Sequence, residues 1–216
     1  MFHDARPLPV NLRLAGKPVL VVGGGAVASR KIGQLLECGA KLTVVAPWVA
    51  PGLDELDLTV ERRQYLSGEV AGYSLVITCT DDPLVNEQVH SDGLAAGVWV
   101  NSADDPENCE FTLASVVRQG DLQFAISTEG RSPALAMWLR RRFEAEFTSE
   151  WAELLDLLSD VRSEARSTLG TSEISGWIEA LDDGVPELVS QGEIEQARNR
   201  LRAHLGLSSH DEGNQR

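Results

Sequence analysis

Sulfur and positive charge are both scarce in this chain. Its three cysteines, Cys38, Cys79 and Cys109, are odd in number, far apart and form no CxxC pair. That excludes a disulfide framework, and Cys38 and Cys79 read as small core residues. The four histidines, His3, His90, His204 and His210, show no metal-ligand spacing and read as surface residues, so no resident metal is expected. Nineteen Lys and Arg face 33 Asp and Glu, a formal net charge of -14. Such a surface repels nucleic acid and anionic membranes, and neither is expected as a partner. An anionic ligand would need a local basic pocket. No apolar run is long enough to cross a bilayer. The opening residues, MFHDARPLPVNLRLAGK, contain no apolar core of the secretory type. A cytoplasmic protein is therefore expected.

Against these absences stands one informative run, VLVVGGGAVASRK at residues 19–31. Four apolar residues lead into three glycines and then a helix-forming stretch. Gly23, Gly25 and Ala28 fit the spacing G-x-G-x-x-A, with Gly24, Ala26 and Val27 between them. A strand ending in such a turn brings backbone N–H groups to a dinucleotide's diphosphate at a helix N-terminus. Gly23 permits the tight turn, Gly25 lets a ligand approach the backbone, and Ala28 lets the helix pack closely on the strand.

Hydrophobic content of 43% supports one sizeable core or two modest ones. Strand signals at 17–22, 41–46, 58–62, 74–79 and 98–101 alternate with helix signals at 27–38 and 83–96. This alternation predicts an open parallel sheet with right-handed crossovers and a ligand at the strands' carboxyl ends. After Asp104 the pattern changes. Residues 111–117 and 122–127 read as a hairpin around Arg118–Asp121, and Ser132-Pro133 opens a helix to about residue 147. A hairpin and one helix are too small to stand alone, so residues 114–150 are expected to complete their core against a second copy. Beyond Ser149 the chain is helical and acidic. Trp151, Leu154, Leu155, Leu158, Val161, Ala165 and Leu169 mark one face, further helices are expected at 175–181 and 193–205, and 208–216 reads as a disordered tail. The expected domains are 1–113, 114–150 and 151–216.

Several positions are candidates for chemistry. The second strand runs out at Ala46-Pro47-Trp48, with no acid for a ribose hydroxyl and no arginine for a 2′-phosphate. That position leaves NAD and NADP open; Pro47 and Trp48 are candidates to pack along the adenosine half. The fourth strand ends at Thr80-Asp81-Asp82, which places hydroxyl and carboxyl groups beside the crevice. Asp104, after the fifth strand, is either an ordinary loop aspartate or a carboxylate that removes a proton while a hydride leaves. Ser127, Thr128, Arg131 and Ser132 gather at a helix N-terminus, which suits acid groups of a ligand. Arg140, Arg141 and Arg142 cannot share one helix face, and some are expected to pair with Glu144 and Glu146.

Taken together, GGGAVASRK at 23–31, TDDPLVN at 80–86, NSADDP at 101–106 and STEGRSPALAMWLRRRFE at 127–144 resemble the precorrin-2 dehydrogenase family, also found as the N-terminal module of siroheme synthases. The resemblance covers residues 8–147, roughly two-thirds of the chain. It implies a Rossmann-type α/β domain, a small α+β dimerisation region and a helical C-terminal domain. It implies NAD as cofactor, precorrin-2 as substrate, sirohydrochlorin as product, and a homodimer. Some members also insert Fe2+ into sirohydrochlorin. The family's essential aspartate falls on Asp104, and its NAD contacts fall on the glycine turn with Ala26 and Val27, and on Pro47 and Trp48. Glu129 departs from the small or hydroxyl residues frequent in relatives and puts a negative charge beside the anion-binding loop. Two other readings remain: an NAD-sensing dimer without catalysis, and an NAD(P) oxidoreductase for another anionic substrate. Neither Asp104 nor the Arg131 loop is needed by a sensor.

Overall fold

A computed structural model describes residues 6–103, 105 and 108–207. The chain divides into two compact units, Met1–Thr112 and Leu113–Arg216.

The first unit is built on a five-stranded, all-parallel sheet. Its strands are β1 (Pro18–Val22), β2 (Lys41–Val45), β3 (Thr59–Glu61), β4 (Leu75–Thr78) and β5 (Trp99–Ser102), in the spatial order β3-β2-β1-β4-β5. Side chains alternate across a strand, so the apolar run of β1 serves two cores. Val19 and Val21 point to one face, where Ala28, Ile32 and Leu35 of helix α1 (Ala26–Glu37) cover them. Leu20 and Val22 point to the other, against Val70 and against Val89 of helix α2 (Pro83–Ala96). The apolar positions of α1 recur at helical spacing, which is why one face of it is buried. Asp82 caps α2 by accepting from the Leu84 N–H at 3.0 Å, and Pro83 occupies the first turn, where its missing N–H costs nothing. A short 3₁₀ turn, Leu53–Glu55, lies between β2 and β3.

The connection from β3 to β4 has no helix of its own. It is pinned to α2 by Asp92, whose carboxylate accepts from Tyr65 Oη and the Gly68 N–H, both at 2.7 Å, and from Gln88 Nε2 at 2.9 Å. Burial pushes the Asp92 carboxyl up, but these donors outweigh it and hold the group below its usual range.

The expected strand at 111–117 is corrected. Phe111 packs on the α1-side core, and its carbonyl accepts from Asn101 Nδ2 at 2.8 Å. An aromatic residue with a strand-like neighbourhood here closes the edge of β5 instead of starting the hairpin.

The second unit opens with an antiparallel hairpin, β6 (Ser115–Gln119) and β7 (Leu122–Ile126), joined through Gly120-Asp121. Helix α3 (Pro133–Glu146) follows, with Ser132 as its cap. Phe124, Phe143, Phe147 and Trp151 stack in sequence, with centroids 4.4–5.8 Å apart. Four helices complete the unit: α4 (Glu150–Leu169), α5 (Trp177–Asp182), α6 (Val185–Ser190) and α7 (Ile194–His204). Their core takes Leu154, Leu157, Val161 and Ala165 from α4, with Val185, Val189, Ala197 and Leu201 opposite. Leu157 thus replaces Leu155 in the buried stripe expected for α4, and Leu169 lies outside it, exposed.

Candidate functional site

The direction of strand succession reverses between β1 and β4, so the crevice of this sheet opens there, at the carboxyl ends. The glycine turn sits on that spot, and each glycine meets a different neighbour. Gly23 has φ +114°, and a Cβ on it would lie 2.5 Å from the Cys79 carbonyl oxygen at the end of β4. A Cβ on Gly24 would lie 2.4 Å from the Trp48 carbonyl oxygen, because residues 48–50 fold back over the turn and the Ala50 N–H donates to the Gly24 carbonyl at 2.7 Å. A Cβ on Gly25 would meet nothing within 4 Å. Two glycines therefore serve packing, and the third faces open space. Gly25 is also the N-cap of α1, and no side chain caps that helix end. The first-turn N–H groups of α1, around Ala26 and Val27, remain available to an anion. Ala28 is fully buried against the sheet, as its spacing predicts.

Pro47 and Trp48 follow β2, and the Trp48 side chain is 64% exposed beside this turn. At the end of β4, Thr80 Oγ1 donates to Asn86 Oδ1 at 2.8 Å and accepts from the Asp82 N–H at 3.2 Å, while Asn86 Nδ2 returns a bond to the Thr80 carbonyl at 3.1 Å. The Thr80 hydroxyl is thus engaged in its own turn, and Asn86 is the partner that sequence reasoning missed. Buried Thr78 donates to Ser102 Oγ at 2.9 Å and ties β4 to β5 just beneath this edge.

Asp104 lies outside the described residues. Its neighbours are held at the carboxyl edge of the sheet: the Ala103 N–H donates to the Thr78 carbonyl at 2.9 Å, and the Cys109 thiol bonds the carbonyls of Ser102 and Asp105, each at 3.2 Å. Burial pushes the Cys109 thiol up, so it is a neutral donor at this junction. Glu110 accepts from the Val100 N–H at 2.7 Å and pairs with His90 at 2.6 Å. His90, expected at the surface, is instead half-buried in that pair.

In the second unit, Ser127, Thr128, Arg131 and Ser132 form one turn ahead of α3. The Glu129 N–H donates to Ser127 Oγ at 3.2 Å, the Ser132 N–H to Thr128 Oγ1 at 3.3 Å, and the Leu135 N–H to Ser132 Oγ at 3.2 Å. Each hydroxyl accepts here and keeps its own proton to donate. Glu129 has φ +51°, the left-handed conformation, which lets the loop reverse sharply before Gly130. Among the described residues the Arg131 side chain has no hydrogen-bond or ion-pair partner. Arg140 pairs with Glu144 at 3.5 Å, as expected, and Arg142 lies over the Trp138 ring at 4.9 Å. No cluster of three or more His, Cys, Asp or Glu residues suited to a metal occurs among the described residues. No helix among them is long and apolar enough to cross a membrane.

Two family models match the chain: one described as "Putative NAD(P)-binding" over residues 10–115, and one described as "Sirohaem biosynthesis protein central" over residues 119–146. The chain is 33% identical over 206 residues to a siroheme synthase of Psychrobacter sp. (strain PRwf-1), covering 91% of this chain and 42% of that protein. It is 34% identical over 204 residues to the siroheme synthase of Nitrosococcus oceani, covering 92% of this chain and 44% of that protein. The chain thus spans less than half the length of these relatives. Among solved structures, the precorrin-2 dehydrogenase SirC superposes with a TM-score of 0.71 at 25% identity, covering 91% of this chain and all of SirC.

Proposed function

We propose that the chain, which matches the NAD(P)-binding and sirohaem-biosynthesis family models and is similar to siroheme synthases and to the precorrin-2 dehydrogenase SirC, oxidises precorrin-2 to sirohydrochlorin with NAD+ as hydride acceptor. The observation that carries this reading is the cradle at Gly23–Val27: an uncapped helix N-terminus at the switch point, with open space where Gly25 lacks a side chain. A dinucleotide fits that geometry. Its diphosphate would be held by the N–H groups of Gly25, Ala26 and Val27, with Gly24 packed beneath and Pro47 and Trp48 on the adenosine side. Thr80 closes the turn on the β4 side.

In this reading Asp104 takes a proton from the substrate through a carboxylate oxygen. Arg131 and the hydroxyls of Ser127, Thr128 and Ser132 bind the substrate's carboxylates, Arg131 through paired charge-assisted bonds. The residues contribute mostly by positioning. Fe2+ enters the proposal as a substrate of a second step, in which Asp104 accepts pyrrole protons as sirohydrochlorin is metallated.

A second copy of the chain belongs to the same proposal. Helix α3 has no buried residue, and Leu135, Met137 and Trp138 are about half exposed on it. An apolar surface of this kind calls for a partner, and β6, β7 and α3 of a second copy would cover it in a homodimer. The same proposal has the protein act in the cytoplasm, where it would meet its nucleotide.

The test is direct. Full-length protein with precorrin-2 and NAD+ is expected to develop the visible spectrum of sirohydrochlorin. A chain that binds NAD+ and leaves the spectrum unchanged is a sensor, and one that oxidises only other anionic substrates refutes the assignment. Fe2+ or Co2+ added to sirohydrochlorin tests chelation separately.

A further inference from the structure

The end of β2 carries neither the acid that would bind a ribose 2′-hydroxyl nor the arginine that would accept a 2′-phosphate. The neighbouring strand supplies both kinds of group. In the sheet register Val45 stands opposite Glu61, and the Ala46 N–H donates to the Glu61 carbonyl at 3.1 Å. Adjacent strands lie about 4.8 Å apart, so Glu61, Arg62 and Arg63 emerge one strand from the Ala46-Pro47-Trp48 exit. That exit continues into residues 48–50, which lie on the glycine turn.

Neither arginine is free. Arg62 pairs with Asp54 at 2.5 Å. Arg63 grips Glu69 through two bonds, at 2.6 and 3.0 Å, and also pairs with Glu61. Glu69 is itself fixed by the Leu66 N–H at 2.7 Å. Three carboxylates thus meet two guanidinium groups, and each cation is already paired on this partly exposed edge. A 2′-phosphate carries about -1.5 to -2 charge at neutral pH and needs unpaired donors. This edge offers it a surplus of negative charge.

We propose that β3 sets the nucleotide preference: Glu61, with Arg63 withheld by Glu69 and Arg62 by Asp54, excludes a 2′-phosphate and selects NAD+ over NADP+. This rests on the reading of the glycine turn as a dinucleotide seat. Glu61 is a specificity residue, and Glu69 acts through Arg63.

Calorimetric titration of the full chain with NAD+ and with NADP+ tests it without any turnover. Wild-type protein is expected to bind NAD+ more tightly. Glu61→Gln removes one charge near the 2′ position and should shift the NADP+/NAD+ affinity ratio roughly tenfold toward NADP+. Glu61→Gln with Glu69→Gln releases Arg63 and should shift it further. Glu37→Gln makes the same charge change at the far end of α1, about 18 Å along the helix from Gly25, and should leave the ratio at the wild-type value. A Glu61→Gln ratio equal to that of Glu37→Gln or wild type overturns the proposal. A wild-type chain that binds neither nucleotide overturns the underlying seat, and the proposal with it.

Discussion

Substituting alanine at Gly24 and at Gly25 should have opposite consequences, although the two are neighbours in one turn. At Gly25 the backbone is extended, φ -79° and ψ -169°, which alanine adopts without strain, and the added methyl meets no atom within 4 Å. The folding cost is that of a poorer N-cap, about 0.5–1 kcal/mol. The methyl projects where a diphosphate would approach, so one or two charge-assisted N–H bonds should be lost, at about 1.5–3 kcal/mol each. That corresponds to NAD+ binding weaker by roughly tenfold to twenty-thousandfold. At Gly24 the methyl would sit 2.4 Å from the Trp48 carbonyl oxygen and 2.8 Å from Val49 Cα. Both are backbone atoms and cannot swing aside, so the 48–50 segment must move. Overpacking of this kind costs about 1–3 kcal/mol. Urea denaturation of the ligand-free protein and calorimetric titration with NAD+ separate the two effects. The reasoning is refuted if Gly25→Ala binds NAD+ as wild type does, or if it destabilises the free protein more than Gly24→Ala.

Three further outcomes follow from the same geometry. Asp104→Ala should slow sirohydrochlorin formation by at least about a hundredfold, the scale of general base catalysis, while NAD+ titration stays near wild type; equal loss in both would make Asp104 a binding residue. Asp92→Asn should cost about 1–3 kcal/mol in chemical denaturation at neutral pH, because it weakens the pin between residues 65–68 and α2. The Asp92 carboxyl is held low, so its contribution is complete above the unfolded-state value near 4 and disappears as pH falls through the lower folded value. The gap between wild type and variant should therefore close on acidification, and a gap that widened would contradict the assignment. Trp138→Glu places a charge on the exposed face of α3 and should yield monomers in light scattering, whereas an unchanged mass would remove α3 from the dimer contact.

What was legible in the chain depended on how local the cause was. The β1–turn–α1 unit was readable because its apolar run, its glycines and its helix face follow one another directly. Phe111 misled because its role is set by Asn101 and by the α1-side core, both remote in sequence. Helix α6 was missed because Gly184 and Pro186 look like breakers, yet a proline in the first helical turn is harmless. Leu157 belongs to the buried stripe through the way α6 and α7 pack on α4, which periodicity within α4 alone does not fix. At the site, the glycine cradle followed from spacing. The ion-paired edge at Glu61, Arg62 and Arg63 did not, because only parallel pairing of β3 with β2 brings it beside Val45.

Hydride transfer to NAD+ is tested most directly by a single-turnover experiment in which the full chain, saturated with NAD+, is mixed with precorrin-2 while NADH and sirohydrochlorin are followed together. One NADH should appear for each sirohydrochlorin at the same rate, and neither should form in the Gly25→Asp variant, whose carboxylate would occupy and repel the diphosphate seat. Sirohydrochlorin appearing without NADH, or undiminished turnover in that variant, would contradict it.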